Sequence, residues 1–353
     1  MFDGYTKRFP TPIMQKILVT GFGFMGGVHA QVYSALPSAT LAAIVDDDAV
    51  RARKKVKQLG LDVPVYPTID EALGANGVDV VDICVPTLHH PRYIKRALEA
   101  GKHVFCEKPF AATAAEADAL AVEVKRAGVT MQIGHCIRFW PEYQALEKYL
   151  KAGRGGRLRS LSLFRRSSRP TYSVGNWVNQ EDLSGGGAFD LHIHDTDYIH
   201  HLLGQPEAVT SVGTKDPSGW SHLFTTYHFD DLAVTAEGGW NYPAQWGFRM
   251  GFEAVFENSV IEFDSAATPT LMITEKSAKR KPLPFVVPKV GGAKSNGGNI
   301  SSLGGYFNEL RYFIECLERG RKPEIATPEQ AADSVRTVRA EIKSAETGRT
   351  VKL

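Results

Sequence analysis

The segment Lys16-Ile17-Leu18-Val19-Thr20-Gly21-Phe22-Gly23-Phe24-Met25-Gly26 constrains the fold more than any other stretch of the 353 residues. A β-branched run that stops at glycine reads as a strand, and Gly26 to Leu36, stopped by Pro37, reads as a helix. Three glycines in a strand-to-helix turn have separate physical tasks. Gly21 permits the tight turn, Gly23 lets the backbone approach a pyrophosphate, and Gly26 lets the helix pack closely on the sheet. The helix N-terminus, with Phe22, Phe24 and Met25 between the glycines, offers free N–H groups and positive partial charge. Asp46 follows the next apolar run, Leu41 to Val45, and its carboxylate could accept hydrogen bonds from an adenosine ribose. Helix capping is the competing task for such an acid, one that Asp47 or Asp48 could perform equally well. Three consecutive acids disfavour a 2′-phosphate, which points to NAD. Arg51 and Arg53 nearby weaken that preference and keep NADP as the alternative.

The first 140 residues go on alternating. Strand-like runs at Val78 to Val85, His103 to Cys106 and Val129 to Ile133 are interleaved with helical patterns at Ala49 to Leu59, Pro91 to Ala100 and Glu116 to Ala127. This alternation predicts an α/β Rossmann domain, a doubly wound parallel sheet, over residues 1–139. Beyond Phe139 strand-like runs follow one another with few helices between them, from Leu158 to Phe164 through Val260 to Phe263. Residues 140–353 are therefore expected to form an α+β domain with a large, mostly antiparallel open sheet. A Pro-, Gly-, Ser- and Asn-rich stretch from Lys281 to Gly305 reads as irregular, and Tyr306 to Glu318 and Pro328 to Glu346 read as closing helices.

Lys+Arg 41 against Asp+Glu 39 leaves a net charge of +2, which argues against a nucleic-acid coat or a polybasic membrane anchor. The four cysteines form no CxxC pair, and Met1 to Pro12 has no apolar core of a signal peptide, so a cytoplasmic, metal-free protein is expected. No run approaches a membrane span.

Two further segments carry chemistry. In Glu107-Lys108-Pro109, the lysine ends a predicted parallel strand, where such sheets bind ligands. A solvated surface lysine is the bland alternative, and the proline argues against it by fixing the direction of the preceding residue. In Gly185-Gly186-Gly187-Ala188-Phe189-Asp190-Leu191-His192-Ile193-His194-Asp195-Thr196-Asp197, the glycines would let a ligand approach the backbone. Asp190 and His194 share a helix face, with Asp197 and His201 continuing the stripe. A carboxylate beside an imidazole suits proton transfer at neutral pH. His192 falls on the opposite side, and His200 and His201 read as core histidines. The HxH spacing splays two ligands apart, so no metal is expected.

Together these segments resemble the Gfo/Idh/MocA oxidoreductases. The likeness extends through Asp82-Ile83-Cys84-Val85-Pro86-Thr87 with His90, the run Leu98 to Val104, Arg138-Phe139 and the tail Thr327 to Ala331. The resemblance implies a sugar, cyclitol or related polyol held between the domains and oxidised or reduced by hydride transfer. It implies cofactor contacts from Pro86, Thr87, His90, Glu107 and Lys108, and Lys108, Asp190 and His194 as catalytic group. It also implies a homodimer or homotetramer through the second sheet. Either His194 or a neutral Lys108 could be the base. Arg138 and Trp177, with Trp140, Tyr172 and Asn176, lie in segments this architecture brings near the substrate. Seven basic residues between 151 and 169 suggest a solvated strand face or an inter-subunit surface, or else a site for an anionic sugar such as a uronate or phosphosugar. Two other readings remain: a non-catalytic dinucleotide-binding regulator, and an enzyme recycling tightly bound NAD, as a glycosidase or sugar–sugar oxidoreductase does.

Overall fold

The computed structural model describes residues 14–75, 77–288 and 303–353. Residues 1–13 and most of the irregular stretch, 289–302, lie outside them. The first unit contains β1 (Gln15–Thr20), α1 (Phe24–Ala35), β2 (Ala39–Val45), α2 (Ala49–Gln58), β3 (Val65–Tyr66), α3 (Ile69–Ala75), β4 (Val80–Ile83), α4 (His90–Glu99), β5 (His103–Glu107), α5 (Ala114–Ala127) and β6 (Met131–Gly134). Its sheet runs β3-β2-β1-β4-β5-β6 with every pairing parallel, so the order reverses between β1 and β4. In such sheets the crevice for a ligand opens at that reversal, beyond the strands' carboxyl ends.

The second unit begins with α6 (Pro141–Lys151), a helix the sequence reading passed over, and continues with β7 (Leu158–Ser168), α7 (Glu181–Ser184), α8 (Ile193–Leu203), β8 (Ala208–Asp216), β9 (Gly219–Phe229), β10 (Leu232–Tyr242), β11 (Phe248–Phe256), β12 (Ser259–Asp264), β13 (Leu271–Glu275) and β14 (Lys281–Pro282). After the undescribed stretch come α9 (Gly304–Glu318), α10 (Pro328–Thr347) and β15 (Val351–Lys352). The second sheet is ordered β14-β13-β12-β11-β7-β10-β9-β8-β15, antiparallel except where β7 pairs with β10.

Local chemistry sets the helix ends. Asp48 caps α2 by accepting from Arg51 N at 2.9 Å, and Thr113 caps α5. Thr327 and Gln330 form a capping box on α10, which stops at Gly348 with φ 66°.

The C-terminal helices tie the two units together. Leu310, Phe313 and Ile314 of α9 pack into the same core as Ile17, Val19, Tyr33 and Phe105. On α10, Ala331, Val335 and Val338 pack with Leu120 and Val124 of α5, while Ser344 Oγ accepts from Ser211 N of β8. Among the described residues no helix is long and apolar enough to cross a membrane.

Candidate active site

A cleft of about 1660 Å³, counted to its open mouth, runs from Gly21, Gly23 and Asp46 to Trp177, Asp190 and His194. At its first end, α1 begins at Phe24, so Phe24, Met25 and Gly26 form the helix's first turn. Gly21 has φ 78°, and a Cβ there would lie 2.8 Å from the Cys84 backbone; a Cβ on Gly26 would sit 2.1 Å from the Gly21 oxygen. A Cβ on Gly23, by contrast, meets nothing within 4 Å, so the space above it is open to a ligand. The turn therefore fits a pyrophosphate. Phe22 faces inward, fully buried, with its backbone alone serving the turn.

Asp46 is buried and committed. Its Oδ2 accepts from Phe22 N at 2.7 Å, its Oδ1 accepts from Asp48 N at 3.0 Å, and Arg51 Nη2 donates to both oxygens at 2.6 Å. The capping task fell to Asp48, leaving Asp46 on the cleft wall. Sequence reasoning missed Lys55. Its Nζ donates to the Phe22 and Gly23 carbonyls and lies 5.0 Å over the Phe22 ring. Burial, aided by Arg51, lowers its pKa to about 8. The signal was the four-residue spacing from Arg51 on α2.

Pro86, Thr87, Glu107 and Lys108 line the middle of the cleft. His90 does not. Its Nδ1 lies 2.8 Å from the Pro109 carbonyl and its Nε2 3.0 Å from the Val85 carbonyl, and the ring buckles two loops together from behind. Its neighbour His89 reaches the cleft instead.

At the far end Lys108 Nζ donates to the Asp190 carbonyl at 2.7 Å and to Asp190 Oδ1 at 3.0 Å. Asp190 does not stand on an α-helix. Residues Ala188–His192 form a π-helical turn, and α8 begins only at Ile193. Asp190 and His194 nevertheless both line the cleft. The preceding glycines meet protein, not ligand: a Cβ on Gly186 would lie 2.8 Å from the Ser218 carbonyl of the β8–β9 turn, and one on Gly187 2.6 Å from the Ser221 carbonyl of β9. Burial, with Lys108, Arg165 and His135 adding to it, pushes His194 well below the ordinary imidazole value, and its Nδ1 has no hydrogen-bond partner in the protein. His194 is thus a neutral, unengaged base beside a lysine–aspartate pair.

The stripe ends there. Asp197 turns away into a buried pair with Arg138, whose Nε and Nη2 each donate to it at 2.7 Å. Arg138 is therefore not at the substrate: it is 2% exposed, and its remaining Nη1 goes to Gln330. His192 is sealed against Glu341 at 3.1 Å, and His201 lies 3.3 Å from Glu147. Trp140, Tyr172 and Trp177 line the cleft, with Tyr172 packed 4.9 Å from Phe24, whereas Asn176 stands outside. The basic run 151–169 is largely spent on ion pairs: Arg159 with Glu257, Arg166 with Glu237, Arg169 with Asp216, and Arg165, which lines the cleft, with Asp195 at 2.9 Å. Ion pairing along the strand thus accounts for most of the run, while Arg165 stands buried on the cleft wall.

A glycine turn opening on a cleft, with an acid after the second strand and a lysine projecting midway, defines a dinucleotide-binding oxidoreductase. The chain belongs to the Gfo/Idh/MocA family. Residues 15–135 match the model of that oxidoreductase family's NAD-binding Rossmann fold, and residues 143–262 match its C-terminal domain. The chain is 32% identical over 251 residues to the uncharacterized oxidoreductase YrbE of Bacillus subtilis, covering 70% of this chain and 68% of YrbE. Myo-inositol 2-dehydrogenase of Thermotoga maritima is 25% identical over 353 residues, covering 96% and 98%. Among solved structures, levoglucosan dehydrogenase in complex with NADH and levoglucosan superposes with a TM-score of 0.82 at 20% identity, covering 96% of this chain and 99% of that one. The protein is an NAD-dependent oxidoreductase.

Proposed function

We propose that this protein is a dehydrogenase of a sugar, cyclitol or related polyol. The observation that carries the reading is the convergence of Lys108, Asp190 and a neutral His194 on the cleft that begins at the glycine turn. Relatives named for inositol and levoglucosan support the substrate class. NAD+, when bound, supplies the hydride acceptor. His194 takes the hydroxyl proton, Lys108 donates to the same oxygen as negative charge grows on it, and Asp190 orients the lysine and the hydroxyl. Trp177, partly exposed on the cleft wall, is available to a sugar ring, with Trp140 packed in the core behind that wall. The division of labour falls near Phe139, with cofactor binding in 1–139 and substrate and subunit contacts in 140–353. Exposed Val212, Phe224 and Trp246 on the second sheet and its flank support a homodimer or homotetramer, and free cysteines fit a cytoplasmic setting.

The test is NADH formation across neutral sugars, cyclitols and acidic sugars. Turnover of a neutral polyol supports the reading; dinucleotide binding without net NADH from any of them would instead favour a recycling enzyme or a regulator. Because His194 is held neutral, the acid-side limb of kcat/KM lies below the ordinary imidazole pKa of about 6.5. In His194→Ala that limb disappears along with most of the turnover, and a normal rate and profile would remove His194 from the role.

Asp46 favours NAD over NADP in the same reading. Asp46→Asn is expected to weaken NAD+ binding about tenfold, because a charge-assisted acceptor is lost. NADP+ binding suffers less, so the ratio of the two Kd values narrows. An unchanged ratio in fluorescence titrations would contradict this.

A further inference from the structure

Glu107 has a second set of partners that this reaction does not use. Its Oε2 accepts from Lys108 N at 3.1 Å, while its Oε1 lies 3.1 Å from His29 Nε2. His29 stands on the helix that opens with the glycine turn, and its Nδ1 lies 2.8 Å from Asp82 Oδ2. From α9, Glu309 completes the group: one ligating atom each from His29, Glu107 and Glu309 lie within 4.8 Å of one another. His29 and Glu309 are 0% exposed and Glu107 6%. Both Glu309 oxygens lack a hydrogen-bond partner, as does the hydroxyl of nearby Tyr33.

Two buried carboxyls so close do not both ionise, because each would add an unscreened negative charge to the other. The surroundings decide which keeps the proton. His29 sits between Asp82 and Glu107: its Nδ1 bonds Asp82, and its Nε2 faces Glu107 Oε1 at 3.1 Å in ion-pair contact without hydrogen-bond alignment, so two carboxylates flank the ring and favour the imidazolium. Burial alone would lower its pKa, yet Asp82 and Cys84 raise it well above the ordinary value. Burial would raise Glu107, yet His29 and Lys108 hold it below the usual carboxylate range. Glu309 faces Glu107 from β5, Asp82 from β4 and Asp197 from α8, with His29 as the opposing cation. Tyr33 on α1, Cys136 beyond β6 and Tyr306 on its own helix also interact with it, each kept neutral by burial. Burial and Glu107 push the Glu309 carboxyl well up.

We propose that His29 and Glu309 are positioning residues for hydride transfer: with Glu107 they form a buried cluster in which Glu309 carries the proton and Glu107 is fixed as the anion on the cleft wall beside Lys108. The consequence concerns the cofactor. The oxidised nicotinamide ring carries a positive charge that the reduced ring lacks, so an anion on that wall favours NAD+ over NADH. The inference rests on the reading of the Lys108 wall as the place of hydride transfer.

The test uses the full chain without substrate, so failure of the polyol reading leaves it intact. NAD+ and NADH are titrated into wild type and His29→Gln. Without the imidazolium Glu107 takes up a proton, and the NAD+ Kd is expected to rise about tenfold more than the NADH Kd. An equal loss for both dinucleotides overturns the proposal. Should His29→Gln fail to fold, Glu309→Gln reads the proton directly. A carboxyl whose folded pKa is raised costs nothing below its unfolded value and an increasing amount as pH climbs toward the folded one. The Tm of Glu309→Gln should therefore gain steadily on wild type as pH climbs above the ordinary carboxyl value of about 4.3. A constant difference overturns the assignment. So does a fall in wild-type Tm on dialysis against EDTA, which would mean two ionised carboxyls around a cation.

Discussion

Replacing Lys108 by methionine lowers kcat by about 10³-fold, within the range typical of a positioned proton donor or oxyanion partner. The side chain volume is nearly kept, so the cleft wall stays in place while the ammonium disappears. Two of its three protons are engaged by Asp190, at 2.7 Å through the carbonyl and 3.0 Å through Oδ1. The variant loses the cation that meets the developing alkoxide, and it leaves the Asp190 carboxylate unpaired beside that same charge. Both effects oppose the transition state more than the ground state, so the loss falls on kcat, with KM and the NAD+ Kd changing little. Steady-state kinetics combined with dinucleotide titration separates these quantities. A kcat within about threefold of wild type would remove Lys108 from the proton-transfer group.

Arg138→Met has its large effect elsewhere. The guanidinium is buried in a two-pronged pair with Asp197, which also accepts from Ser334 Oγ at 2.8 Å and lies 3.3 Å from His135. Removing the arginine strands a buried carboxylate, at a cost of about 3–5 kcal/mol in folding stability. The pH dependence gives the cause. Burial opposes ionisation of Asp197, but Arg138 and His135 bring its pKa down to about 2. A depressed carboxyl stabilises the fold above its unfolded pKa and loses that contribution as pH falls through the folded value. In the variant Asp197 takes up a proton more readily, so the gap between the two unfolding curves is widest near neutral pH and narrows toward about pH 4. A variant of normal stability with a raised KM would instead return Arg138 to the substrate.

That second case shows why parts of the site were unreadable from sequence. Arg138 sits at the junction of the two units, where a cationic side chain is a reasonable substrate anchor. Its partner lies 59 residues away and no local pattern announces it. The strand-to-helix turn, Asp46 and the Glu107-Lys108-Pro109 corner were legible because their tasks depend on neighbours in sequence. That Asp190 and His194 share the cleft was legible for a partly wrong reason, and the acid pairs with Lys108, not with the imidazole. A four-residue spacing suggested an α-helix, and the π-helical turn at Ala188–His192 leaves both residues facing the cleft. His89 and His90 illustrate the limit of one-residue resolution at a helix start. His29 had a signal that went unused: with Gly26, Val32 and Tyr33 it forms the buried face of α1, where a polar residue needs partners. The strands β3 and β14 were missed because two residues each mark them, whereas α6 carried a signal that went unused, a proline at its start followed by Glu, Gln, Ala, Leu and Lys.

The packing of α9 gives the chain an unusual order of assembly. Leu310, Phe313 and Ile314 complete the core beneath β1 and β5, and Glu309 on the same helix joins the buried cluster behind Glu107. A ribosome delivers that helix only after β7 to β14, eight of the nine strands of the second sheet. The nucleotide-binding half thus waits, with an apolar face uncovered, for the end of its own synthesis. Its contacts of greatest sequence separation are then among the last to form, and for that interval the nascent chain depends on whatever shields that face.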